Sequence, residues 1–270
     1  MSDKQRADTA LVARGLAPSR EKAQALIMSG NVYVRECKVV KASEKIAESD
    51  ELTVRAPEHP YVGRGALKLE KALQVFGVDP SGMTALDIGA ATGGFTDVLL
   101  RAGAGHVYAV DVGYGQLDWK LRNDSRVTVL ERTNARYLQR EQLDGATPDI
   151  TVMDVSFISV RLILPAAAEL MERRGLFCIL IKPQFEAGRE NVGKKGVVRD
   201  PAVHAAVVAA VRDFAPSVGY RMTAVDFSPI KGPEGNIEYL ARLDPAGTAA
   251  DEVSDGAVKA AVEAAHGQLD

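Results

Sequence analysis

The segment that most constrains the fold is 84–95, with the sequence Thr-Ala-Leu-Asp-Ile-Gly-Ala-Ala-Thr-Gly-Gly-Phe. An apolar run ends at Asp87, glycines follow, and a helical pattern resumes at Phe95. This order predicts a strand, a tight turn and the start of a helix. Because glycine has no Cβ atom, such a turn lets a nucleotide-like ligand approach the bare backbone.

The glycine spacing narrows the class of ligand. It is Asp-x-Gly-x-x-x-Gly-Gly, not the Gly-x-Gly-x-x-Gly of dinucleotide-binding folds. The segment resembles the S-adenosylmethionine loop of Rossmann-like methyltransferases. That resemblance implies a cofactor-binding role for the loop residues Asp87, Gly89, Ala90, Gly93, Gly94 and Phe95.

The chain around this loop reads as an α/β protein. Short apolar runs alternate with helical segments near 83–87, 106–111, 127–130, 149–154 and 176–181. Continuous apolar runs of this length are typical of buried parallel strands. Runs near 221–227 and 237–243, joined by a Gly/Pro loop, predict an antiparallel hairpin. We therefore expect a mostly parallel, Rossmann-like class I methyltransferase sheet that ends in this hairpin.

Two polar residues follow the next strands. Asp111 ends the second strand, where an acid can accept hydrogen bonds from both hydroxyls of a cofactor ribose. Asn134 follows the third strand, in a position suited to contact adenine. Both are predicted to bind the cofactor.

The first 55 residues predict a small α+β domain. Helical spacing occurs at 6–13 and 20–28, Ser19 is a plausible N-cap for the second helix, and short alternating segments follow. The pattern Arg6-x-Asp8, Arg14-Gly15, Ser19-Arg20-x-x-Ala23 and Ile27-x-x-Gly30-x-Val32-x-Val34 resembles the S-four-type RNA-binding domain. The resemblance implies phosphate contacts from Arg6, Arg14, Arg20, Lys22 and Lys38.

The remaining boundaries follow from composition. Residues 56–63 contain two prolines and predict a linker, 64–243 the methyltransferase domain, and 244–270 an acidic, mobile tail. The net charge of −3 owes much to this tail, which carries six acidic side chains and one lysine. A basic surface for RNA therefore remains compatible with the overall charge. Cys37 and Cys178 form no metal-binding pattern, so no metal is expected.

Four charged residues stand at the ends of separate predicted elements. They are Lys68, Asp154, Lys182 and Glu238. Together they resemble the Lys-Asp-Lys-Glu tetrad of FtsJ-type ribose methyltransferases, and residues 1–243 as a whole resemble the TlyA family of ribosomal-RNA 2′-O-methyltransferases, often labelled haemolysins. A ribose hydroxyl is a poor nucleophile until its proton is removed. Burial and a second ammonium group disfavour the charged form of a lysine, so we expect one lysine to act as the base.

Other chemistries fit the residues less well. The fourth strand continues as Asp-Val-Ser-Phe, which differs from the Asn/Asp-Pro-Pro-Tyr motif of amino-group methyltransferases, and Cys178 lies within an apolar strand. The glycine-rich segment 188–200 carries Arg189, Lys194 and Lys195, which are predicted to grip RNA together with Arg64.

The resemblance implies a cytoplasmic enzyme that methylates cytidines of 16S and 23S rRNA and acts on ribosomal subunits. Two alternatives remain at this point, a non-enzymatic RNA-binding assembly factor and a membrane-active haemolysin. The N-terminus lacks the apolar core of a signal peptide, and no apolar run is long enough to span a bilayer.

Overall fold

A computed structural model describes residues 4–28, 30–35, 37–55, 59–232 and 234–269. The chain divides into two compact units, and the boundary between them falls after Pro60. The predicted linker 56–63 includes this division, and its residues 56–58 lie outside the described residues. Each unit is treated separately below.

The N-terminal unit combines two helices with short antiparallel strands. Its elements are β1 (Lys4–Arg6), α1 (Ala7–Ala13), α2 (Arg20–Met28), β2 (Val32–Val34), β3 (Cys37–Lys38), β4 (Lys45–Ala47) and β5 (Leu52–Val54). Strand β1 pairs with β4, while β2 lies between β3 and β5. Ser19 caps α2 as predicted, because its hydroxyl accepts a hydrogen bond from the amide of Lys22 at 3.3 Å. The core contains Leu11, Ile27 and Ile46.

The second unit alternates strands and helices. Its elements are α3 (Ala66–Val75), β6 (Thr84–Ile88), α4 (Gly94–Arg101), β7 (His106–Val110), α5 (Trp119–Arg122), β8 (Val127–Leu130), β9 (Ile150–Met153), α6 (Leu164–Leu170), β10 (Leu176–Ile181), α7 (Pro183–Glu186), α8 (Pro201–Phe214), β11 (Tyr220–Phe227), β12 (Tyr239–Pro245) and α9 (Asp255–Leu269).

One sheet organises this unit, in the order β11-β12-β10-β9-β6-β7-β8. The pairs among β10, β9, β6, β7 and β8 are parallel, and β12 is antiparallel to both of its neighbours. The predicted Rossmann-like sheet with a C-terminal antiparallel hairpin is therefore confirmed.

Side chains alternate between the two faces of the sheet, as the two-residue period of a strand requires. Leu86 and Met153 pack with α6 and α8 on one face. Ala85 and Val152 pack with α3 and α4 on the other. Because helices cover both faces, the strands can be apolar along their whole length. The carboxyl ends of the parallel strands consequently meet at one edge.

The end of the chain differs from the expected mobile tail. Helix α9 buries Val258, Val262 and Ala265 in the core beside α8, and Asp255 at its start pairs with Arg212 at 2.7 Å. The buried positions lie four and three residues apart, which places them on one face of a helix. In the described part of the chain, no helix has the length and apolar composition needed to cross a membrane.

Candidate active site

The turn after β6 adopts a left-handed backbone at two glycines. Gly89 has a φ of +86° and Gly93 a φ of +95°. A Cβ atom on Gly89 would lie 2.7 Å from the carbonyl oxygen of Asp154, and one on Gly93 would collide with Leu117 and Leu121. Glycine is therefore required at both positions. The turn brings the end of β6 close against the end of β9.

A cavity of about 420 Å³ opens at the carboxyl ends of the parallel strands. Its lining includes three of the predicted cofactor residues, Gly89, Asp111 and Asn134. The other predicted cofactor residues lie outside the lining: Asp87, Ala90, Gly93, Gly94 and Phe95. The structure therefore divides the predicted loop into residues that border the cavity and residues that shape the turn.

Asp111 joins the glycine turn to the following loop. Its Oδ2 accepts a hydrogen bond from the amide of Ala91 at 2.8 Å, and its Oδ1 accepts one from Gly113 at 2.6 Å. The side-chain oxygen of Asn134 accepts a hydrogen bond from the amide of Arg136 at 3.1 Å. A cavity of this size, with a bare glycine and a fixed carboxylate in its wall, fits a nucleoside-bearing cofactor.

Asp87 lies behind the cavity and is fully buried. Its Oδ2 accepts a hydrogen bond from the hydroxyl of Thr96 at 2.6 Å, while its Oδ1 has no hydrogen-bond partner among the described residues. Burial raises the pKa of Asp87 to about 7, although the Thr96 hydroxyl acts in the opposite direction. The side chain of Asp87 therefore has an unused acceptor next to the glycine turn.

Phe95 does not occupy the position predicted for it. Its side chain is buried in the core between the sheet and α3, and it takes no part in the cavity wall. The physical reason is the helical phase, because α4 begins at Gly94 and turns the next side chain inward toward the core. Gly94 is also buried, and a Cβ atom there would lie 3.0 Å from the amide nitrogen of Ala66.

The four residues of the predicted tetrad form a continuous chain of ion pairs. Lys68 Nζ lies 2.6 Å from Glu238 Oε2 and 3.5 Å from Asp154 Oδ2. Lys182 Nζ lies 2.6 Å from Asp154 Oδ1 and donates a hydrogen bond to the hydroxyl of Ser156 at 2.9 Å. The structure thus brings together side chains from α3, the end of β9, the end of β10 and the start of β12.

Burial makes this network sensitive to the loss of any member. The side chain of Glu238 is 1% exposed and that of Lys68 is 8% exposed, whereas Asp154 is 19% exposed and lines the cavity. The two ammonium groups balance the two carboxylates. Removing one partner would strand a buried opposite charge, which is costly in a medium of low polarity. Asp154 connects the network to the cavity.

A loop after β9 borders Lys182. Phe157 has a φ of +64° and is 91% exposed, and its ring centroid lies 5.1 Å from that of Phe185. Glu186 fixes the loop, because it accepts hydrogen bonds from the hydroxyl of Ser159 at 2.6 Å and the amide of Val160 at 2.7 Å. The loop and the segment after Lys182 are therefore tied together.

Sequence comparison agrees with this geometry. The FtsJ-like methyltransferase family matches residues 61–244, and the S4 domain matches residues 5–52. The chain belongs to the FtsJ-like methyltransferase family. The glycine turn, the cavity and the ion-pair network all lie within the matched residues.

Two curated relatives align with most of this chain and with most of their own length. The chain is similar to a candidate rRNA methyltransferase, YqxC, of Bacillus subtilis, with 49% identity over 99% of this chain and 96% of the relative. It is 48% identical to the 16S/23S rRNA (cytidine-2′-O)-methyltransferase TlyA of Mycobacterium tuberculosis, over 89% of this chain and 90% of that protein. A solved structure of a candidate hemolysin from Streptococcus thermophilus has 43% identity and a TM-score of 0.78, covering 99% of this chain and 98% of that one.

In the S4 domain of this FtsJ-like methyltransferase, three predicted RNA contacts have internal partners. Arg6 and Arg20 pair with the buried Asp8 at 2.9 and 3.1 Å, and the Arg6 hydrogen bond holds the pKa of Asp8 well below its usual value. Arg14 donates to the backbone carbonyls of Asp50 and Ala47 at 2.6 and 2.9 Å. These arginines therefore stabilise the domain, and RNA contact by them stays a prediction.

The remaining predicted RNA contacts are more accessible. Lys22 and Lys38 are exposed in the N-terminal unit, as are Arg189, Lys194 and Lys195 in the segment after α7. Arg64 is exposed, and it donates a hydrogen bond to the carbonyl of Lys231 at 2.7 Å. RNA contact by all of these residues stays a prediction.

Cys178 lies within β10 and is buried, and burial raises the pKa of its thiol to about 12. Such a thiol is protonated at neutral pH, so it is unsuited to act as a nucleophile. Among the described residues, no group of three or more His, Cys, Asp or Glu side chains is arranged to hold a metal ion.

Several contacts that shape this methyltransferase site were missed by sequence reasoning. Ser156 receives a hydrogen bond from Lys182, and Glu186 fixes the neighbouring loop. Asn236 is buried and holds the segment before Glu238, because its side chain bonds the backbone of Val198 and Gly196 at 3.0 and 2.9 Å. Their proximity in sequence to the tetrad was the only available signal.

Proposed function

We propose that this protein transfers a methyl group from S-adenosylmethionine to the 2′-hydroxyl of a ribose in ribosomal RNA. The observation that carries the proposal is the chain of ion pairs from Glu238 through Lys68 and Asp154 to Lys182 beside the cavity. The Mycobacterium tuberculosis relative is named for cytidines of 16S and 23S rRNA. We propose the same nucleotides here, within ribosomal subunits, and action in the cytoplasm.

Two residues are proposed to hold the cofactor in the cavity. Each carboxylate oxygen of Asp111 retains a lone pair beyond its backbone hydrogen bond, so Asp111 can still accept hydrogen bonds from the ribose hydroxyls. The amide nitrogen of Asn134 can donate to adenine, because its oxygen alone is used within the turn. When bound, S-adenosylmethionine supplies a sulfonium-activated methyl group that an oxygen nucleophile can displace.

Lys182 is the proposed base. Its Nζ contacts Asp154 and Ser156, which line the cavity, and in the neutral form it would accept the proton of the 2′-hydroxyl. Asp154 and Ser156 hold the amine in one position through contacts at 2.6 and 2.9 Å. Glu238 fixes Lys68 on the far side of Asp154 at 2.6 Å. This fixed arrangement aligns the hydroxyl before the reaction, which contributes to the rate.

The N-terminal unit is proposed to supply affinity for folded RNA. Lys22, Lys38 and Arg20 are its exposed basic residues among the predicted contacts, and phosphate contacts by such side chains give affinity without reading the sequence. The exposed segment with Arg189, Lys194 and Lys195 is proposed to grip RNA next to the target ribose.

The test is incubation of the purified protein with labelled S-adenosylmethionine and ribosomal subunits, followed by nuclease mapping of modified riboses. We expect label at a 2′-oxygen with the wild type and none with Lys182→Ala. Lys182→Arg should also be inactive, because a guanidinium does not release its proton near neutral pH. An active, well-folded Lys182→Arg protein would remove the lysine-base mechanism.

A matched control is available in Lys71, which also pairs with a carboxylate. Its Nζ lies 3.1 Å from Asp226, outside the network. Lys71→Arg should therefore retain full activity. A non-enzymatic assembly factor would bind subunits without transferring label, and a membrane-active haemolysin would lyse erythrocytes whether or not Asp111 was intact.

A further inference from the structure

A second cavity, of about 360 Å³, lies beside the active site. It is formed by α7 and the segment that follows, and its lining consists of Gln184, Phe185, Gly188, Arg189 and Val192. The cofactor site and the ion-pair network use none of these residues. Its lining begins two residues after Lys182, so it is close to the position proposed for the reacting hydroxyl.

An aromatic pair connects the two cavities. Phe157 lines the first cavity and Phe185 lines the second, and their ring centroids lie 5.1 Å apart with an interplanar angle of 45°. The Lys182 ammonium lies 6.0 Å from the Phe185 ring centroid. The two rings therefore stand between the two spaces, and each offers an aromatic surface to one of them.

Gln184, in the lining of the second cavity, carries an unused polar atom. The side-chain oxygen of Gln184 is buried and accepts no hydrogen bond from the residues that the structure describes. A buried acceptor of this kind is costly unless a ligand or water satisfies it. A glutamine amide presents one acceptor and two donors, which match the hydrogen-bonding edge of a nucleobase. Arg189 in the same lining is exposed and carries a positive charge suited to phosphate.

We propose that this second cavity is a subsite for the unpaired base of a nucleotide next to the methylated ribose. The base would stack on Phe185, its edge would satisfy Gln184, and its phosphate would face Arg189. Proteins read single-stranded RNA in this way, by aromatic stacking combined with hydrogen bonds to base edges. The inference rests on the proposed function, because it takes the hydroxyl of the neighbouring nucleotide to lie at Lys182.

The experiment measures RNA binding separately from methyl transfer. The probe is a short single-stranded RNA with a central cytidine, compared with versions that carry an abasic nucleotide on either side of it. Fluorescence anisotropy gives the affinity of the full-length wild type, Gln184→Leu, Phe185→Leu and the control Gln74→Leu, whose parent residue is exposed on α3.

We expect one abasic position to weaken wild-type binding about tenfold. Phe185→Leu and Gln184→Leu should each weaken binding of the intact RNA, and the same abasic change should cost Phe185→Leu much less, because the stacking surface is lost. Gln74→Leu should behave as the wild type. The melting temperature of Gln184→Leu should stay constant or rise, because the variant removes an unsatisfied buried oxygen. A residue needed only for folding would instead lower it.

Equal affinity of the wild type for intact and abasic RNAs would overturn the subsite. So would an abasic effect of the same size in Phe185→Leu, which would assign the base contact to another surface of the protein. Absence of methyl transfer to subunits, with the abasic effect retained, would reject the proposed function and leave the base-binding site in place.

Discussion

Replacing Glu186 by alanine should loosen the loop beside Lys182. The Glu186 side chain is 2% exposed, and its carboxylate accepts hydrogen bonds from the Ser159 hydroxyl and the Val160 amide at 2.6 and 2.7 Å. It also accepts a longer hydrogen bond from Arg161 at 3.4 Å. Alanine would leave the first two donors without an acceptor in a buried position.

The size of the effect follows from these contacts. A buried polar group without a partner costs about 1–3 kcal/mol, so two such groups should lower the free energy of unfolding by about 2–6 kcal/mol. In a unit of this length the melting temperature should fall by about 2–4 °C per kcal/mol. Arg161 should add little, because its side chain is 36% exposed.

The same change should slow methyl transfer. The loop carries Ser156, which accepts the hydrogen bond from Lys182, so its displacement would shift the amine. A misplacement of about 1 Å can cost about 10²-fold in rate. Single-turnover transfer at saturating RNA and melting curves measure the two effects. Glu186→Gln should be intermediate, because one acceptor oxygen remains.

Glu190 provides the matched control, since it is an exposed glutamate in the segment just after α7. Glu190→Ala should change the free energy of unfolding by less than about 0.5 kcal/mol. If Glu186→Ala melted and reacted like Glu190→Ala, the carboxylate would have no positioning role and the reasoning would be wrong.

Three further predictions concern the cofactor turn and the domains. Gly89→Ala should lower the free energy of unfolding by about 2–4 kcal/mol and weaken S-adenosylmethionine binding in calorimetry, because its Cβ would press on the Asp154 carbonyl. Gly77→Ala is the control: Gly77 has a φ of +61° but open space around it, so this variant measures the backbone strain alone. Asp87 binds more protons in the folded than in the unfolded cofactor-free protein between about pH 4 and pH 7, so stability should fall as pH rises through that window, by up to about 4 kcal/mol. Asp87→Asn should abolish that fall in denaturant titrations, and an unchanged pH profile would contradict it. Removal of residues 1–60 should leave cofactor binding intact and abolish methylation of structured RNA. Methyl transfer at the full rate would contradict the proposal that the N-terminal unit supplies the affinity for RNA.

Much of the methyltransferase unit was predictable because its strands are buried on both faces. Continuous apolar runs such as Leu176–Ile181 identify parallel strands without any tertiary information. Once the strands are parallel, their carboxyl ends must share an edge. Asp154 and Lys182, each placed directly after a strand, were therefore bound to meet there.

The individual partners of charged residues were not predictable in the same way. Asp8 is separated from Arg20 by a turn between helices, and only the packing of α1 against α2 brings them to 3.1 Å. The sequence of the N-terminal domain therefore shows where its arginines are, but not that Arg6 and Arg20 both pair with Asp8. Phe95 shows a related limit, because the direction of its side chain depends on the first residue of α4.

The packing of the C-terminal helix α9 was not predicted, because of the composition of the segment. Alanine and acidic residues dominate the segment, so its apolar stripe contains only small side chains. Val258 and Val262 nevertheless bury themselves because α8 and β11 offer a complementary surface. Composition indicates how much apolar area a segment has, whereas burial of that area depends on the helices and strands that it packs against.

The position of β12 has a consequence for how the protein is made. This strand follows all the other strands that the structure describes, yet it lies between β11 and β10 in the sheet. During synthesis β10 emerges before β12, so one side of β10 stays unpaired until β12 has been made. Glu238 directly precedes β12 and is brought to Lys68 only when that strand docks. A chain released before β12 is made therefore lacks the contact between Glu238 and Lys68.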